Sequence, residues 1–195
     1  MKQLDKTPKG EAFWLKMIRP ETKYNPAGIY EGELILRGEE AEQFKSIVNK
    51  HITDAVAEHT VDGKKPKKAD APYKPHVVDG QDDGISFKFK MKAKYETRKG
   101  DVITQKPVVV DAKGNPITDP EFSIGNGSIV KIAYKPRTWS VTGRGCGVTL
   151  TPMAVQVINH VPYSANSDGF GFDEEEGFEF KEKEKETIFE EADDF

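Results

Sequence analysis

Cysteine is nearly absent from this chain, since Cys146 is the only one among 195 residues. A lone thiol cannot close an intrachain disulfide, so the sequence does not belong to the disulfide-stabilised secreted class. Long apolar runs are missing too, and none approaches the roughly 20 residues that a membrane helix needs. The first residues also lack the apolar core of a signal peptide. These absences predict a soluble, intracellular protein.

Motifs for catalysis and metal binding are also missing. The four histidines show no zinc spacing with Cys146. The glycines of GRGCG at 143–147 are not placed between a strand and a following helix, as a nucleotide-binding loop requires. They therefore predict a strand connection. Asp82, Asp83 and Asp101 resemble part of a metal-dependent nuclease site, but nothing completes the set. The sequence therefore predicts a protein that is not an enzyme and holds no metal or cofactor.

Charge divides the chain into two parts. Residues 1–160 hold 26 Lys and Arg against 20 Asp and Glu, a net charge of +6. Residues 161–195 hold 3 against 13, a net charge of −10. The sequence predicts a basic domain over 1–160, which would bind a polyanion, and a flexible acidic tail over 161–195.

The hydrophobic pattern predicts a mainly β domain with one helix. Apolar residues recur at spacings of three and four over Glu39–His59, as in an amphipathic helix, and the stripe comprises Phe44, Ile47, Val48, Ile52, Ala55 and Val56. Residues 1–11 look loose, and residues 60–84 predict a long surface loop. The predicted strands are 12–18, 29–36, 85–95, 102–110, 128–134, 138–142 and 148–157. Short strands with turns between them indicate a closed or nearly closed barrel.

The segment ISFKFKMKAKY at 85–95 alternates without a break. Apolar side chains face one side, and the other side carries Lys88, Lys90, Lys92 and Lys94 about 7 Å apart. Like charges at this spacing repel unless an anion lies across them, as a phosphodiester backbone would. A solvated strand face that uses lysine for solubility is the alternative.

A second candidate is AYKPRTW at 133–139. It combines Lys135 and Arg137 with Tyr134 and Trp139, and sequence-tolerant single-strand binding uses such rings to stack bases. Tyr73 is a further candidate ring. The alternative is that these aromatic side chains fill the barrel. The lysines at 64, 65, 67, 68 and 74 either extend the phosphate track or remain solvated.

Several of these segments together resemble the single-stranded DNA-binding proteins of T7-like phages. The segments are NPAGIYEGELIL (25–36), IVNKH (47–51), KKPKKADAPYKP (64–75), FKFK (87–90), VVVDAKGNP (108–116), GNGSIVKIAY (125–134) and KPRTW (135–139). The resemblance covers nearly the whole basic domain and the character of the tail. Ala27 departs from it where family members carry a basic residue, and the KEKEKE stretch of the tail is unusual.

This resemblance implies an OB-fold, a five-stranded Greek-key barrel with a helix between strands, that binds DNA across one face. It implies a role in phage replication and recombination in the cytoplasm of the infected bacterial host, including annealing of complementary strands. Lys88 and Lys90 match the family's basic pair, and Arg137 and Trp139 match its basic-aromatic segment. The tail, ending in Asp193, Asp194 and Phe195, would contact the phage DNA polymerase and helicase–primase and compete with DNA for the basic groove. Tail exchange would allow a homodimer.

Two other functions remain open. An RNA-binding OB protein fits the same residues, because neither stacking nor a phosphate track distinguishes the sugars. A protein-binding adaptor, similar to a histone chaperone, would work through the acidic, Phe-rich tail and use the domain as a scaffold. A metal-dependent nuclease is a distant third.

Overall fold

The computed structural model describes residues 4–97 and 99–162. These residues form ten strands and one helix. In chain order the elements are β1 (Asp5–Lys6), β2 (Gly10–Glu21), β3 (Ile29–Leu36), α1 (Gly38–Glu58), β4 (Tyr73–Val78), β5 (Gln81–Lys92), β6 (Lys94–Glu96), β7 (Val102–Thr104), β8 (Val108–Val110), β9 (Ile129–Val141) and β10 (Gly145–Asn159).

Five of the strands close into a barrel. Around it the order is β2, β3, β5, β10 and β9, and β9 pairs again with β2. All neighbours are antiparallel except β5 and β10, which run parallel. The helix α1 lies in sequence between the second and third barrel strands. This arrangement confirms the predicted mainly β, OB-like barrel with one helix.

The core lies between the barrel strands and the buried stripe of α1. The ring of Phe44 on the helix lies 4.7 Å from that of Phe87 and 5.7 Å from that of Tyr134, between centroids. Phe89 lies 5.8 Å from Tyr134 on the next strand but one. Edge-on packing of this kind stabilises aromatic clusters beyond their buried area. The predicted stripe is confirmed except at Ile47, which is 47% exposed.

The predicted loop over residues 60–84 is wrong in its second half, where β4 pairs with the start of β5. Asp79 and Gly80 connect the two strands with φ angles of 51° and 78°, the left-handed conformations of a tight hairpin turn. Pro75 is tolerated because β4 pairs on one side only.

Other strand boundaries differ from the predicted ones, mainly at prolines and at the end of β5. The strands predicted at 128–134 and 138–142 are one strand, β9, whose pairing with β10 continues through Pro136. Among the described residues the other edge of β9 is unpaired at this position, so the missing N–H of proline is tolerated there. The strand predicted at 102–110 is two, β7 and β8, separated before Pro107. The strand predicted at 85–95 ends at Lys92, and β6 then pairs with β7 in a separate sheet. Residues 1–11, predicted to be loose, include β1, which pairs with β9.

The acidic tail lies almost wholly outside the described residues. The predicted division into domains at residue 160, the tail phenylalanines and the terminal Asp193, Asp194 and Phe195 therefore stay predictions. No helix within residues 4–97 and 99–162 is both long enough and apolar enough to span a membrane.

Candidate nucleic-acid interface

The lysines of β5 point away from the core. Phe87 and Phe89 are fully buried, whereas the alternating Lys88, Lys90 and Lys92 are exposed. Alternate residues of a strand face opposite sides of the sheet, so the three ammonium groups project from one outer face. The sequence pattern predicted this arrangement.

The neighbouring strand β3 places carboxylates opposite these lysines. Glu31 pairs with Lys90 in the register, and its Oε2 lies 3.5 Å from the Nζ of Lys88 and 3.6 Å from that of Lys90. Glu33 accepts a hydrogen bond from Ser86 and one of 3.0 Å from Lys74. Partial burial by itself would raise the pKa of Glu33. The bonds from Ser86 and Lys74, with the charge of Lys88, outweigh burial and hold that pKa below its ordinary value.

Strand β9 carries the second basic segment. Lys135, Arg137 and Trp139 alternate with the inward-facing residues of the strand, so they share the outer face. The intervening Thr138 turns towards the helix, where its hydroxyl donates to Glu58 at 3.0 Å. Across the ladder, β10 presents Thr149 opposite Arg137.

An open groove of about 360 Å³ joins the two basic segments. We call it the central groove. Its lining residues are Lys90, Met91, Lys92, Tyr95, Glu96, Gln105, Arg137, Thr149 and Thr151. The guanidinium of Arg137 lies 6.0 Å from the ring centroid of Tyr95, within cation–π distance. Three cationic side chains, one aromatic ring and two threonine hydroxyls therefore meet at one surface, and Glu96 is the only acid among the described residues of the lining.

Trp139 lies beside this groove rather than in it. Its ring is half-buried over Gly147, where an added Cβ would come within 2.8 Å of Cζ2. Ala69 borders the same position. Backbone bonds of 2.8 Å between Lys67 and Cys146, and between Ala69 and Cys146, hold the lysine-rich loop against β10 there. The lysines at 64, 65, 67 and 68 are exposed on this loop, whereas Lys74 lies on β4 and pairs with Glu33.

Tyr134 and Tyr73 do not form part of this surface. Tyr134, predicted to stack a base, is 1% exposed and packs edge-on against other rings inside the core, so it offers no face to a ligand. Burial raises the pKa of its phenol well above the ordinary value. Tyr73 packs against Phe87, and its hydroxyl donates to Asn49 at 2.8 Å. Both rings serve packing.

The structure also exposes two aromatic residues that the sequence pattern did not indicate as ligand-binding. Trp14 is 46% exposed and Tyr24 is 84% exposed. A signal for Trp14 was present, because Phe13, Trp14 and Leu15 are consecutive and cannot all face the core from one strand. Tyr24 lies in the turn between β2 and β3, where the hydrophobic pattern does not predict which way a side chain points.

Residues outside the grooves show no alternative chemistry within the described ranges. The strand connection predicted at 143–147 is confirmed but is shorter, because β9 ends at Val141 and β10 begins at Gly145. Cys146 is fully buried and its thiol donates to the carbonyl of Ala55 at 3.4 Å. Burial raises the pKa of this thiol, which keeps it protonated. Within residues 4–97 and 99–162, no three His, Cys, Asp or Glu side chains cluster as metal ligands would.

Comparison with known proteins identifies the family to which this fold belongs. The profile of the family described as "Single-stranded DNA-binding protein, Bacteriophage T7" matches residues 14–160. A curated relative, the single-stranded DNA-binding protein of Escherichia phage T7, is 29% identical over 169 residues, which cover 78% of this chain and 71% of the relative.

Solved structures show the same fold. The crystal structure of the single-stranded DNA-binding protein encoded by bacteriophage T7 matches with a TM-score of 0.69 at 23% identity, covering 93% of this chain and all of that one. The single-stranded DNA-binding protein from bacteriophage Enc34, in complex with single-stranded DNA, matches with a TM-score of 0.60 at 14% identity, covering 82% and 88%. Because the family profile spans most of the chain, this protein belongs to the family of the bacteriophage T7 single-stranded DNA-binding protein.

Proposed function

We propose that this protein binds single-stranded DNA without sequence specificity during phage replication and recombination, protecting and annealing single strands. The observation that carries the proposal is the central groove, where Lys90, Lys92 and Arg137 converge around the ring of Tyr95. Phosphates would contact the cationic groups, and one base would stack on Tyr95. Trp139 and Lys135, on the same face of β9, extend the binding surface.

The chemistry of the groove favours binding over reaction. Its lysines and its arginine suit phosphate contacts, and sequence-independent affinity requires little else. Gln105 is anchored by a bond of 2.8 Å to the carbonyl of Lys92, so it shapes the groove wall. The protein therefore acts as a binding protein rather than an enzyme. Incubating labelled DNA with the protein and magnesium should leave the DNA intact, and cleavage would contradict this.

A salt series tests the phosphate contacts. The affinity for an oligonucleotide should fall with salt, with a log–log slope of about 0.7 for each phosphate neutralised on a single strand. The double variant Lys88→Ala, Lys90→Ala should lower affinity at low salt. Its slope should be shallower by about 0.7 for each phosphate that the protein no longer neutralises.

A matched double variant provides the control. Lys45→Ala with Lys50→Ala removes the same charge from α1, and neither residue lines the central groove. It should change the slope little. If both double variants have the slope of the unaltered protein, the phosphate track is assigned wrongly.

Selectivity for DNA distinguishes this function from that of an RNA-binding OB protein. Competition between DNA and RNA oligonucleotides of the same sequence, and titration with duplex DNA, should show preference for single-stranded DNA. Equal or tighter binding of RNA would favour the RNA-binding function. Failure of the protein without residues 166–195 to bind any oligonucleotide would favour an adaptor that works through its tail.

The tail supplies the partner contacts in this proposal. The tail carries a net charge of −10 and ends in Asp193, Asp194 and Phe195. This charge suits contacts with basic surfaces of the phage DNA polymerase and helicase–primase, in the cytoplasm of the bacterial host. As a tethered polyanion it would also compete with DNA for the basic domain.

Deletion of residues 166–195 tests both tail roles. It should tighten DNA binding at low salt and abolish recruitment of the replication partners. Unaltered affinity would exclude competition, and retained recruitment would exclude the partner role. Light scattering of the full and truncated chains would show whether the tail supports a homodimer.

A further inference from the structure

A second cavity lies on the other side of the β5 lysines from the central groove. It has a volume of about 270 Å³, and we call it the bulge pocket. Its lining residues are Phe13, Trp14, Lys16, Glu21, Tyr24, Glu31, Gly32, Glu33 and Lys88. It differs from the central groove in charge, because three carboxylates face two ammonium groups. The pocket therefore does not concentrate positive charge as the central groove does, and its exposed rings suit an uncharged aromatic group better than a phosphate.

The exposed Trp14 is held in place by the backbone. Its φ of 49° lies in the left-handed region, which a bulky residue rarely adopts. The register between β2 and β3 shifts between Phe13 and Lys16, so the strand bulges at this point. The side chain of Asn126 accepts a bond of 2.8 Å from the backbone N–H of Trp14. A hydrogen bond from a turn 112 residues away thus fixes the bulge.

Strand β3 leaves room for this bulge. An added Cβ on Gly32 would come within 2.5 Å of Leu15 Cα and 2.9 Å of the Trp14 carbonyl oxygen. Only glycine permits so close an approach. The bulge, the amide of Asn126 and Gly32 together keep the indole on the surface, and unusual backbone of this kind is often found at ligand sites.

Tyr24 forms the other aromatic wall of the pocket. Its turn is anchored by Asn25, whose side chain accepts from Ala27 at 3.0 Å and whose carbonyl accepts from Gly28 at 2.8 Å. The Nζ of Lys23 lies 5.3 Å from the Tyr24 ring. The ring nevertheless remains 84% exposed. An exposed tyrosine on an anchored turn, beside an exposed tryptophan, is the arrangement on which an unpaired base stacks.

We propose that the bulge pocket is a nucleobase subsite, in which Trp14 and Tyr24 stack one base of a strand whose phosphates continue along Lys88 and Lys90 into the central groove. This inference rests on the proposed function. Lys88 lines the pocket and Lys90 lines the central groove, two residues apart on β5, so neighbouring nucleotides reach both. Glu21 and Glu33 offer carboxylate oxygens to base amino groups, while Glu31 faces the lysines of β5.

Tryptophan fluorescence tests this assignment, because the chain has two tryptophans. In a Trp139→Phe variant, Trp14 is the sole reporter. Its emission should be quenched by a single-stranded oligonucleotide and not by an abasic oligonucleotide of the same length, which supplies phosphates without bases. Anisotropy of a labelled oligonucleotide measures binding independently.

The outcomes separate the subsite from the function. Binding by anisotropy with unchanged Trp14 emission overturns the subsite and leaves the proposed function standing. Equal quenching by the abasic strand also overturns it. Absence of binding by anisotropy in the unaltered protein overturns the proposed function itself.

An affinity comparison provides the second readout. Tyr24→Ala should weaken binding of a long oligonucleotide at least about fivefold, the lower end of what one stacked base contributes. The tyrosine is too exposed for this change to unfold the protein. Ile47→Ala, at an exposed apolar position on α1, is the control and should leave affinity unchanged. Equal affinities for the Tyr24 variant and the control would overturn the proposal.

Discussion

The central groove and the bulge pocket lie on either side of the same two lysines but differ in charge. The central groove collects Lys90, Lys92 and Arg137 against one acid. The bulge pocket collects two exposed rings and three carboxylates against Lys16 and Lys88. The first suits phosphates and the second suits a base. In the proposed binding mode, the phosphates and the bases of a single strand would contact different cavities on either side of the β5 lysines.

This difference arises from two adjacent strands. Where the two strands lie side by side, the outward Glu31 and Glu33 of β3 stand opposite the outward Lys90 and Lys88 of β5. In the free protein Glu31 lies between Lys88 and Lys90 and partly neutralises them. A bound phosphate would therefore replace a carboxylate that already occupies its place. Substitutions of residues beneath both sites, and of residues beneath only one of them, show how far the two sites depend on each other.

The largest effect should come from the core beneath both sites. Phe89 is fully buried on β5, between the outward Lys88 and Lys90. Phe89→Ala should lower the free energy of unfolding by about 3–5 kcal/mol, because it removes a large buried ring and leaves a cavity. Urea unfolding measures this. Lys90→Ala, on the opposite face, should change stability by less than about 0.5 kcal/mol. Similar reductions for the two variants would contradict the orientation of β5.

A smaller stability effect should distinguish the bulge pocket from the central groove. Gly32→Ala places a methyl group against Leu15 and the Trp14 carbonyl, so it should cost about 1–3 kcal/mol as overpacking does. If the variant remains folded, quenching of Trp14 by DNA should decline while the salt slope persists, because the central groove is untouched. A Gly32→Ala protein of unaltered stability would show that the bulge does not need the glycine.

The outward faces were predictable where alternation is uninterrupted. The pattern at 85–95 identified Lys88 and Lys90 because hydrophobic burial on one side of a strand fixes the other side. The same rule, applied to IVKIAYK at 129–135, places Tyr134 inward with Val130 and Ile132. The choice of Tyr134 as a stacking residue followed its basic neighbours rather than its position in the alternation.

The bulge pocket was not predictable in this way. Its geometry depends on Asn126, which is 112 residues from Trp14 in sequence, and on the close approach of Gly32. Contacts between residues so far apart produce no periodic pattern in the local sequence. Likewise, the sequence did not indicate that Glu31 would compete with DNA phosphates for the lysines, because only the register of β3 on β5 places it beside Lys90. Local pattern indicates the faces of each strand, and pairing between distant segments creates the sites.

Removing the carboxylate between the two lysines should strengthen binding modestly. Glu31→Gln frees Lys88 and Lys90 from an exposed ion pair, which contributes about 0.2–1 kcal/mol. Affinity for single-stranded DNA at low salt should therefore rise by up to about fivefold. Glu40→Gln, which removes the same charge from α1, is the control and should have less effect. Equal gains from both would indicate a response to net charge rather than to the local pair.

The smallest effect should appear in the pH dependence of stability, through the carboxylate beside Glu31. The pKa of Glu33 is lower in the folded protein than its ordinary value of 4.5, because burial, which would raise it, is outweighed by the bonds from Ser86 and Lys74. A depressed folded pKa adds stability that is fully present above the unfolded value and is lost as pH falls through the folded one. Unfolding free energies measured from about pH 6 to about pH 3 should therefore decline less steeply for Glu33→Gln than for the unaltered protein. A Glu33→Gln curve parallel to that of the unaltered protein would show that the β3 carboxylate is not held by these bonds in solution.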